Sequence, residues 1–538
     1  MICMGYYNYN LTVDKLLDYG STVYSSKEIV YRDRRRYTFS KFRERVEAFA
    51  QSLLKIGVKP GDKVAVVDWD TDVYMTAYYA VPMIGAVLHT VNVRYPPEVM
   101  LKTVLHAEDK WAIVRDEFTP LLEKGKAFLG GLKGVITYSD EREKVKTSFP
   151  THDFWELQES GERLPPQEIK EDMQATVFYT SGTTGEPKGI WFTHRDLVLH
   201  SMSVALTTSK PPLRSSQDDN FMILVPMFHV HQWGFPYVTM LVGANYVLPG
   251  RYDPAMEIEL MRKEHVTFSA MVPTILYMIL SHPNASKYPE VFKGWKVMIG
   301  GSALPTELAY AARKMGINIA VGYGMSETAP VLTVAYYTPE VEKLPEEDRF
   351  LQQIKTGVPI PLSQVRVVDE KGNDVPRDEK TVGEIVARAP WLTRSYYKDP
   401  ERTEKLWKDS WLHTGDLAVV DKYGYIRIVD RDKDAIKSGG EFIPSLILED
   451  IISTHPKVGE VAIVGMKDEK WGERPVAFIV PKGDLKEEEI RQFLLTKVEE
   501  GKLQKWWIPD RFVFVKEFPK TSTNKIDKKA LRNQLSSG

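Results

Sequence analysis

The sequence predicts an α/β protein: a large N-terminal domain of helix-covered β-sheets plus a small β-rich unit, then a small mobile α+β C-terminal domain. Three observations carry that prediction. Continuous apolar runs such as Val64-Ala65-Val66-Val67 recur between helical repeats in the first third, the pattern of parallel strands buried on both faces. After about residue 361 the apolar runs shorten and turns replace the helices between them. The charged run Asp430-Arg431-Asp432-Lys433-Asp434 then makes a poor core and a good exposed hinge, and a last block with its own strands and helices follows it. The expected boundaries are 1–430 for the N-terminal domain, with the β-rich subdomain at about 361–430, then 431–434 for the hinge and 435–538 for the C-terminal domain. A chain of 538 residues has room for more than one such unit.

Taken in order, Phe42, Val46, Phe49, Leu53 and Leu54 recur at helical spacing, which predicts a helix starting at Thr38 or Ser40 as N-cap and stopping at Gly57. Lys59-Pro60-Gly61-Asp62 is a turn. The longest apolar stretch, Tyr74 to Leu88, is too short for a bilayer of ~30 Å and contains Pro82, so it reads as a buried helix running into a strand. The same rhythm returns at Ile223-Leu224-Val225-Pro226, Ala270-Met271-Val272-Pro273 and Val297-Met298-Ile299-Gly300. Val365 to Val368, Gly383 to Ala387 and Tyr425 to Val429 are the short strands of the β-rich unit, with Asp421-Lys422-Tyr423-Gly424 as a turn. In the last block Val461 to Val464 and Val476 to Val480 can pair, and Leu485 to Glu499 is a helix.

Composition removes several classes of function. A net charge of -2 gives no electrostatic case for nucleic acid or an anionic membrane. The basic triplet Arg34-Arg35-Arg36 reads as a solvated turn or strand edge. Cys3 is the single cysteine, so no disulfide framework or cysteine metal site can form, and it lies outside every motif below. Tyr6-Tyr7-Asn8-Tyr9-Asn10 replaces the apolar core of a signal peptide, and a cytoplasmic location is expected. A homodimer is compatible with these features.

The most informative stretch is Tyr179-Thr180-Ser181-Gly182-Thr183-Thr184-Gly185-Glu186-Pro187-Lys188-Gly189, after a strand at Gln174 to Phe178. Small residues let backbone N–H groups crowd around an anion, hydroxyls add donors, and Lys188 adds a positive charge for a polyphosphate. It is not a Walker A loop, since Pro187 and Gly189 flank the lysine.

This segment resembles the signature loop of the adenylate-forming superfamily: acyl-CoA synthetases, adenylation domains and luciferases. Further motifs follow in the order that family has them, from about residue 10 to residue 533. Gly300-Gly301-Ser302-Ala303-Leu304-Pro305 resembles its adenine-side loop. Gly322-Tyr323-Gly324-Met325-Ser326-Glu327-Thr328 resembles its motif for adenine, α-phosphate and magnesium. Trp411 to Asp416 resembles its ribose motif, Arg431 with Lys433 its hinge, and Lys437-Ser438-Gly439-Gly440-Glu441 the loop that meets the thiol. Pro519 to Asp527 resembles the motif of the final catalytic lysine, with Asn524 where the family usually has glycine.

The resemblance implies an ATP-dependent ligase that joins a carboxylic acid to AMP and passes the acyl group to coenzyme A. A carboxylate meeting a triphosphate gathers negative charge, so such an enzyme must supply cations. Lys525 would bridge the acid and the α-phosphate. Thr180 and Glu327 would hold Mg2+. Thr180, Ser181, Gly182, Thr183, Thr184, Gly185 and Lys188, with Gly301, Ser302, Ala303, Gly322, Tyr323, Gly324, Met325, Ser326, Asp416, Ile428 and Arg431, would bind ATP or AMP. Within that set Tyr323 would stack on adenine and Asp416 would accept from two ribose hydroxyls. Rotation about Lys433 would withdraw Lys525 and present Ser438, Gly439, Gly440 and Glu441 to coenzyme A. Gly300, Gly324, His229, Val230 and Trp233 would form the acyl pocket. Acetate-specific relatives carry Trp at the Gly324 position, so an acid longer than propionate is expected, and Pro226 to Gly234 resembles medium- and long-chain synthetases. His231 stands where Asn is common and bears on pocket polarity. A short hydroxylated acid such as hydroxybutyrate is the alternative substrate. The alternative functions are loading of a separate carrier protein, a luciferase-type oxidation and non-catalytic nucleotide binding.

Overall fold

The computed structural model describes residues 9–180, 187–431, 434–438, 441–521 and 525–536. Among these, the strands form four sheets. The seven-stranded sheet runs in the order Thr151–Asp153, Gly134–Tyr138, Trp111–Arg115, Lys63–Val67, Val87–Thr90, Gln174–Thr180, Lys188–Thr193. Its neighbours are parallel except for the last pair. Parallel neighbours cannot be joined by a tight hairpin, so helices such as Asp72–Ala80 and Pro97–Ala107 make the crossovers. The apolar stretch from Tyr74 follows this pattern: helix to Ala80, a short turn of 3-10 helix at Pro82–Ile84, then the buried strand Val87–Thr90. Among the described residues no helix is long and apolar enough to cross a membrane.

The nine-stranded sheet centres on the parallel strands Phe268–Met271, Lys296–Ile299 and Asn318–Gly324. Its far edge is Arg35–Thr38. The helix Phe39–Lys55 starts after that edge because the Thr38 side chain accepts the Lys41 N–H at 3.2 Å, and Phe42, Val46, Phe49 and Leu53 are buried along one face.

Two expectations are corrected here. The basic triplet does reach a strand edge, with Arg35 and Arg36 on the edge strand, but it is paired and not simply solvated. Arg35 is half-buried between Asp72 and Asp140, each at 2.8 Å, while Arg34 meets Glu141 and Arg36 meets Glu28 and Glu264. Carboxylates brought from distant segments make this a paired edge, which sequence spacing does not reveal. The run at Ile223 to Pro226 is not a full strand either. The ladder ends at Phe221, the Met222 and Leu224 N–H groups still donate to Phe268 and Ala270, and Pro226 has no N–H to continue.

The β-rich sheet contains Gln364–Val368, Gly383–Arg388, Trp407–Lys408, Trp411–Val420 and Ile426–Arg431, paired antiparallel. The last sheet spans Ile436–Ser438 to Arg511–Phe514. Within it Val461 faces Ile479 and Val464 faces Val476, the pairing the sequence allows, and the helix Glu487–Glu499 follows.

Candidate active site

Three strand ends converge on one cleft. The strand Gln174–Thr180 turns back as Lys188–Thr193, so Thr180 and Lys188 are partners across an antiparallel pair. The parallel strands Lys296–Ile299 and Asn318–Gly324 leave the sheet side by side, into Gly300–Ala303 and into Met325–Thr328. Crevices at the carboxyl ends of parallel strands are where open α/β sheets bind ligands. The cleft has a volume of about 2200 Å³. It gathers Thr180, Lys188, His229, Val230, Trp233, Gly300 to Ala303, Gly322 to Glu327, Asp416, Ile428, Arg431 and Lys525, residues spread over most of the chain.

Charge in the cleft is paired but not exhausted. The Tyr323 hydroxyl donates to Asp416 Oδ2 at 2.7 Å, and Arg431 Nε lies 3.1 Å from Asp416 Oδ1. The pairing follows from the ladder, where Asp416 faces Arg431 across two adjacent strands. Asp416 therefore already holds one partner on each oxygen, and its remaining lone pairs are what a hydroxyl-bearing ligand can use. Arg431 is held charged, chiefly by Asp416. The Lys525 side chain lies over Gly301: a methyl group there would come within 3.3 Å of its Cε and 3.6 Å of its Nζ. Burial pushes the Lys525 ammonium down to about 8, the Arg431 charge adds to this, and Asp416 opposes it.

That position has a pH consequence. The Lys525 cation is present below pH about 8 and is lost above it. For the free enzyme, kcat/KM for ATP should fall as pH rises through this value. A pH–rate profile of the adenylation step measures it, and a profile rising through the same range would contradict the assignment.

Glu327 is buried, and its Oε1 accepts from the Tyr396 hydroxyl at 2.6 Å. The same hydroxyl lies 3.4 Å from Lys188 Nζ, and the lysine sits 4.7 Å from the centre of the Tyr396 ring. Tyr396 thus joins the residues expected to serve the metal and the phosphates. Sequence reasoning missed it, and the only signal was an aromatic pair, Tyr396-Tyr397, far from any glycine-rich motif.

The donor set suits Mg2+. Glu327 and Thr180 line the cleft together and offer only oxygen. Among the described residues no cluster of three or more His, Cys, Asp or Glu could cage a metal. Mg2+ typically takes one or two protein carboxylates and completes its shell from substrate phosphates and water.

The acyl end of the cleft rests on an unusual backbone. Val230, His231, Gln232 and Trp233 have φ of 47°, 54°, 51° and 57°, a left-handed turn closed by Gly234. Left-handed geometry costs roughly 1–2 kcal/mol per non-glycine residue, so its neighbours must impose it. The Gln232 amide donates to the Ile223 carbonyl at 3.2 Å and accepts from the Tyr246 hydroxyl at 2.6 Å. His231 is fully buried, edge-on to Phe178 and Phe192 at 5.2 and 5.6 Å between ring centres. The turn thereby sends His229, Val230 and Trp233 to the cleft and His231 and Gln232 into the core. His231 does not set pocket polarity, contrary to the expectation from sequence. Burial holds both His229 and His231 neutral, with values near 3.

The Trp233 ring packs over Gly300, where a methyl group would meet Cη2 at 2.9 Å. Gly324 has a different reason for being glycine than an open pocket. A Cβ there would stand 1.7 Å from the Pro330 carbonyl oxygen, so close backbone approach excludes any side chain on this backbone.

Ser438 is buried in the last sheet, outside the cleft, and its hydroxyl accepts from Arg474 Nη1 at 3.1 Å. Ser181, Gly182, Thr183, Thr184, Gly185, Lys433, Gly439, Gly440 and Asn524, and the side chain of Glu441, lie outside the described residues.

Comparison with known proteins follows the same outline. Residues 19–397 match the AMP-binding enzyme family and residues 448–525 match the AMP-binding enzyme C-terminal domain. The chain is 39% identical over 525 residues to a long-chain-fatty-acid–CoA ligase of Thermus thermophilus, covering 96% of this chain and 94% of that one. It is 32% identical over 540 residues to a medium-chain-fatty-acid–CoA ligase of Ectopseudomonas oleovorans, covering 97% and 96%. The anthranilate CoA ligase AuaEII, solved with anthranoyl-AMP, shares the fold with a TM-score of 0.85 at 24% identity over 98% of both chains.

Proposed function

The chain belongs to the AMP-binding enzyme family and is an AMP-forming acid–CoA ligase using ATP, Mg2+ and coenzyme A, and we propose that its preferred acid is a medium- or long-chain fatty acid. The observation that carries this reading is that charged and apolar residues line one cleft. Lys525, Arg431, Asp416 and Lys188 supply the charge; Trp233, Val230, Met298, Val321 and Val331 supply the apolar surface. A fatty acid has the matching polarity, an anionic head and a hydrocarbon tail. The named long- and medium-chain relatives support the same choice.

In this reading the acid oxygen attacks the α-phosphorus of ATP and pyrophosphate leaves, giving acyl-AMP. Lys525 places its ammonium between the two anions as they close, where a preorganised cation counts most. Lys188 draws on the departing phosphates, and Tyr323 and Asp416 hold the nucleoside. Glu327 and Thr180 would hold Mg2+, which when bound would offset phosphate charge. His229, held neutral by burial with the Lys525 charge adding to it, lines the cleft without bringing a further cation. In the second step the thiol attacks the acyl carbon and AMP leaves. Residues 435–538 turn about the hinge 431–434 for that step, so that Lys525 withdraws and the loop around Ser438 takes its place. Lys525 lies inside the cleft and Ser438 outside it, which supports this reading for the first step.

The test is a series of acids from acetate to palmitate, with 4-hydroxybutyrate beside them and coenzyme A as the only thiol. Each buried methylene should raise kcat/KM about fourfold until the tail fills the site. Trp233→Ala, by clearing the wall above Gly300, should shift the optimum to longer acids. A preference for acetate or for 4-hydroxybutyrate would refute the fatty-acid assignment.

A further inference from the structure

The helix Thr306–Lys314 leaves the nucleotide loop directly after Pro305, a residue that offers no side-chain cap. The first N–H groups of a helix need partners. Here one comes from a distant part of the chain. Asp450, on the helix Ser445–Ser453, accepts from the Thr306 N–H and from the Thr306 hydroxyl, both at 2.9 Å. A carboxylate at a helix N-terminus is favoured by the peptide dipoles as well.

The same helix is tied on its other side to the segment that carries Lys525. Glu449, next to Asp450, pairs with Lys528 Nζ at 2.6 Å, and Lys528 also donates to Ser445 Oγ at 3.1 Å. Lys528 opens the last helix, just after Lys525. Thr306, for its part, closes the loop over whose Gly301 the Lys525 side chain lies. One short helix therefore grips the nucleotide loop with Asp450 and the catalytic-lysine segment with Glu449.

We propose that Asp450 is a positioning residue for adenylation: its two bonds to Thr306 register the C-terminal part of the chain on the nucleotide loop and fix where Lys525 stands. The bonds must break when that part turns for the thioester step, so they favour the first step only. This rests on the role given to Lys525 above.

The experiment measures the two half-reactions separately, acid-dependent pyrophosphate exchange and AMP release from supplied acyl-adenylate with coenzyme A. Asp450→Ala should lower the exchange kcat by about tenfold to hundredfold, the scale of losing bonds to a charged group, and leave the second half-reaction at its original rate. Asp450→Asn should recover part of the loss, because its carbonyl oxygen still accepts the Thr306 N–H. Wild-type exchange in Asp450→Ala, or an equal fall in both half-reactions, would overturn the proposal. Lys525→Ala run alongside separates the two ideas. If it retains exchange, the role of Lys525 fails and this proposal with it; if it loses exchange while Asp450→Ala does not, only the registering role fails.

Discussion

Lys525→Ala should lower formation of acyl-adenylate by about a thousandfold, yet leave the conversion of supplied acyl-adenylate to thioester close to the original rate. The size follows from what the cleft contains. In the proposed reaction an anionic acid must approach an anionic α-phosphate, and the Lys525 side chain lies in the cleft above Gly301. Arg431 already has part of its charge offset by Asp416, 3.1 Å from its Nε. Alanine leaves that convergence of charge unanswered in a partly dry site. The second half-reaction forms no new contact between anions and needs no such cation. Rapid-quench measurement of each half-reaction on the same preparation checks both parts. Equal losses in the two would refute the division of labour.

The second large effect is expected at Glu327. Glu327→Gln keeps the shape and the capacity to accept the Tyr396 hydroxyl but removes the negative charge. Adenylation should fall by about a hundredfold or more, and the Mg2+ concentration for half-maximal rate should rise, because a neutral amide is a poor ligand for a hard cation. Tyr396→Phe should act in the same direction by about tenfold, since the carboxylate remains and only its orientation is lost. A Mg2+ titration of both variants checks the order. A larger effect from Tyr396→Phe than from Glu327→Gln would mean that the tyrosine, and not the carboxylate, is the group that matters.

The parts of this site that are legible in sequence are those built from local backbone rules. Gly300-Gly301 and Gly322-Tyr323-Gly324 follow apolar runs, and the structure places both at the ends of adjacent parallel strands. The alternation of buried runs and helical repeats likewise predicts the crossover between Lys63–Val67 and Val87–Thr90. What sequence hides is the pairing of distant residues. Tyr396 reaches Glu327 across 69 positions and Asp450 reaches Thr306 across 144, and neither pair has a spacing that a periodic pattern could flag. The left-handed turn at Val230 to Trp233 was hidden for a different reason. No glycine marks those four positions, and the burial of His231 and the hydrogen bonds of Gln232 hold the backbone there. Gly324 shows the converse: its identity is legible, but its cause, the Pro330 carbonyl, becomes visible only once the two strands are paired.

The most direct test is exchange of labelled pyrophosphate into ATP by the purified protein with Mg2+, a fatty acid such as decanoate or palmitate, and no thiol present. The account predicts exchange that depends on the acid, with AMP as the nucleotide released once coenzyme A is added. Absence of exchange with every acid in the series, or release of ADP in place of AMP, would contradict it.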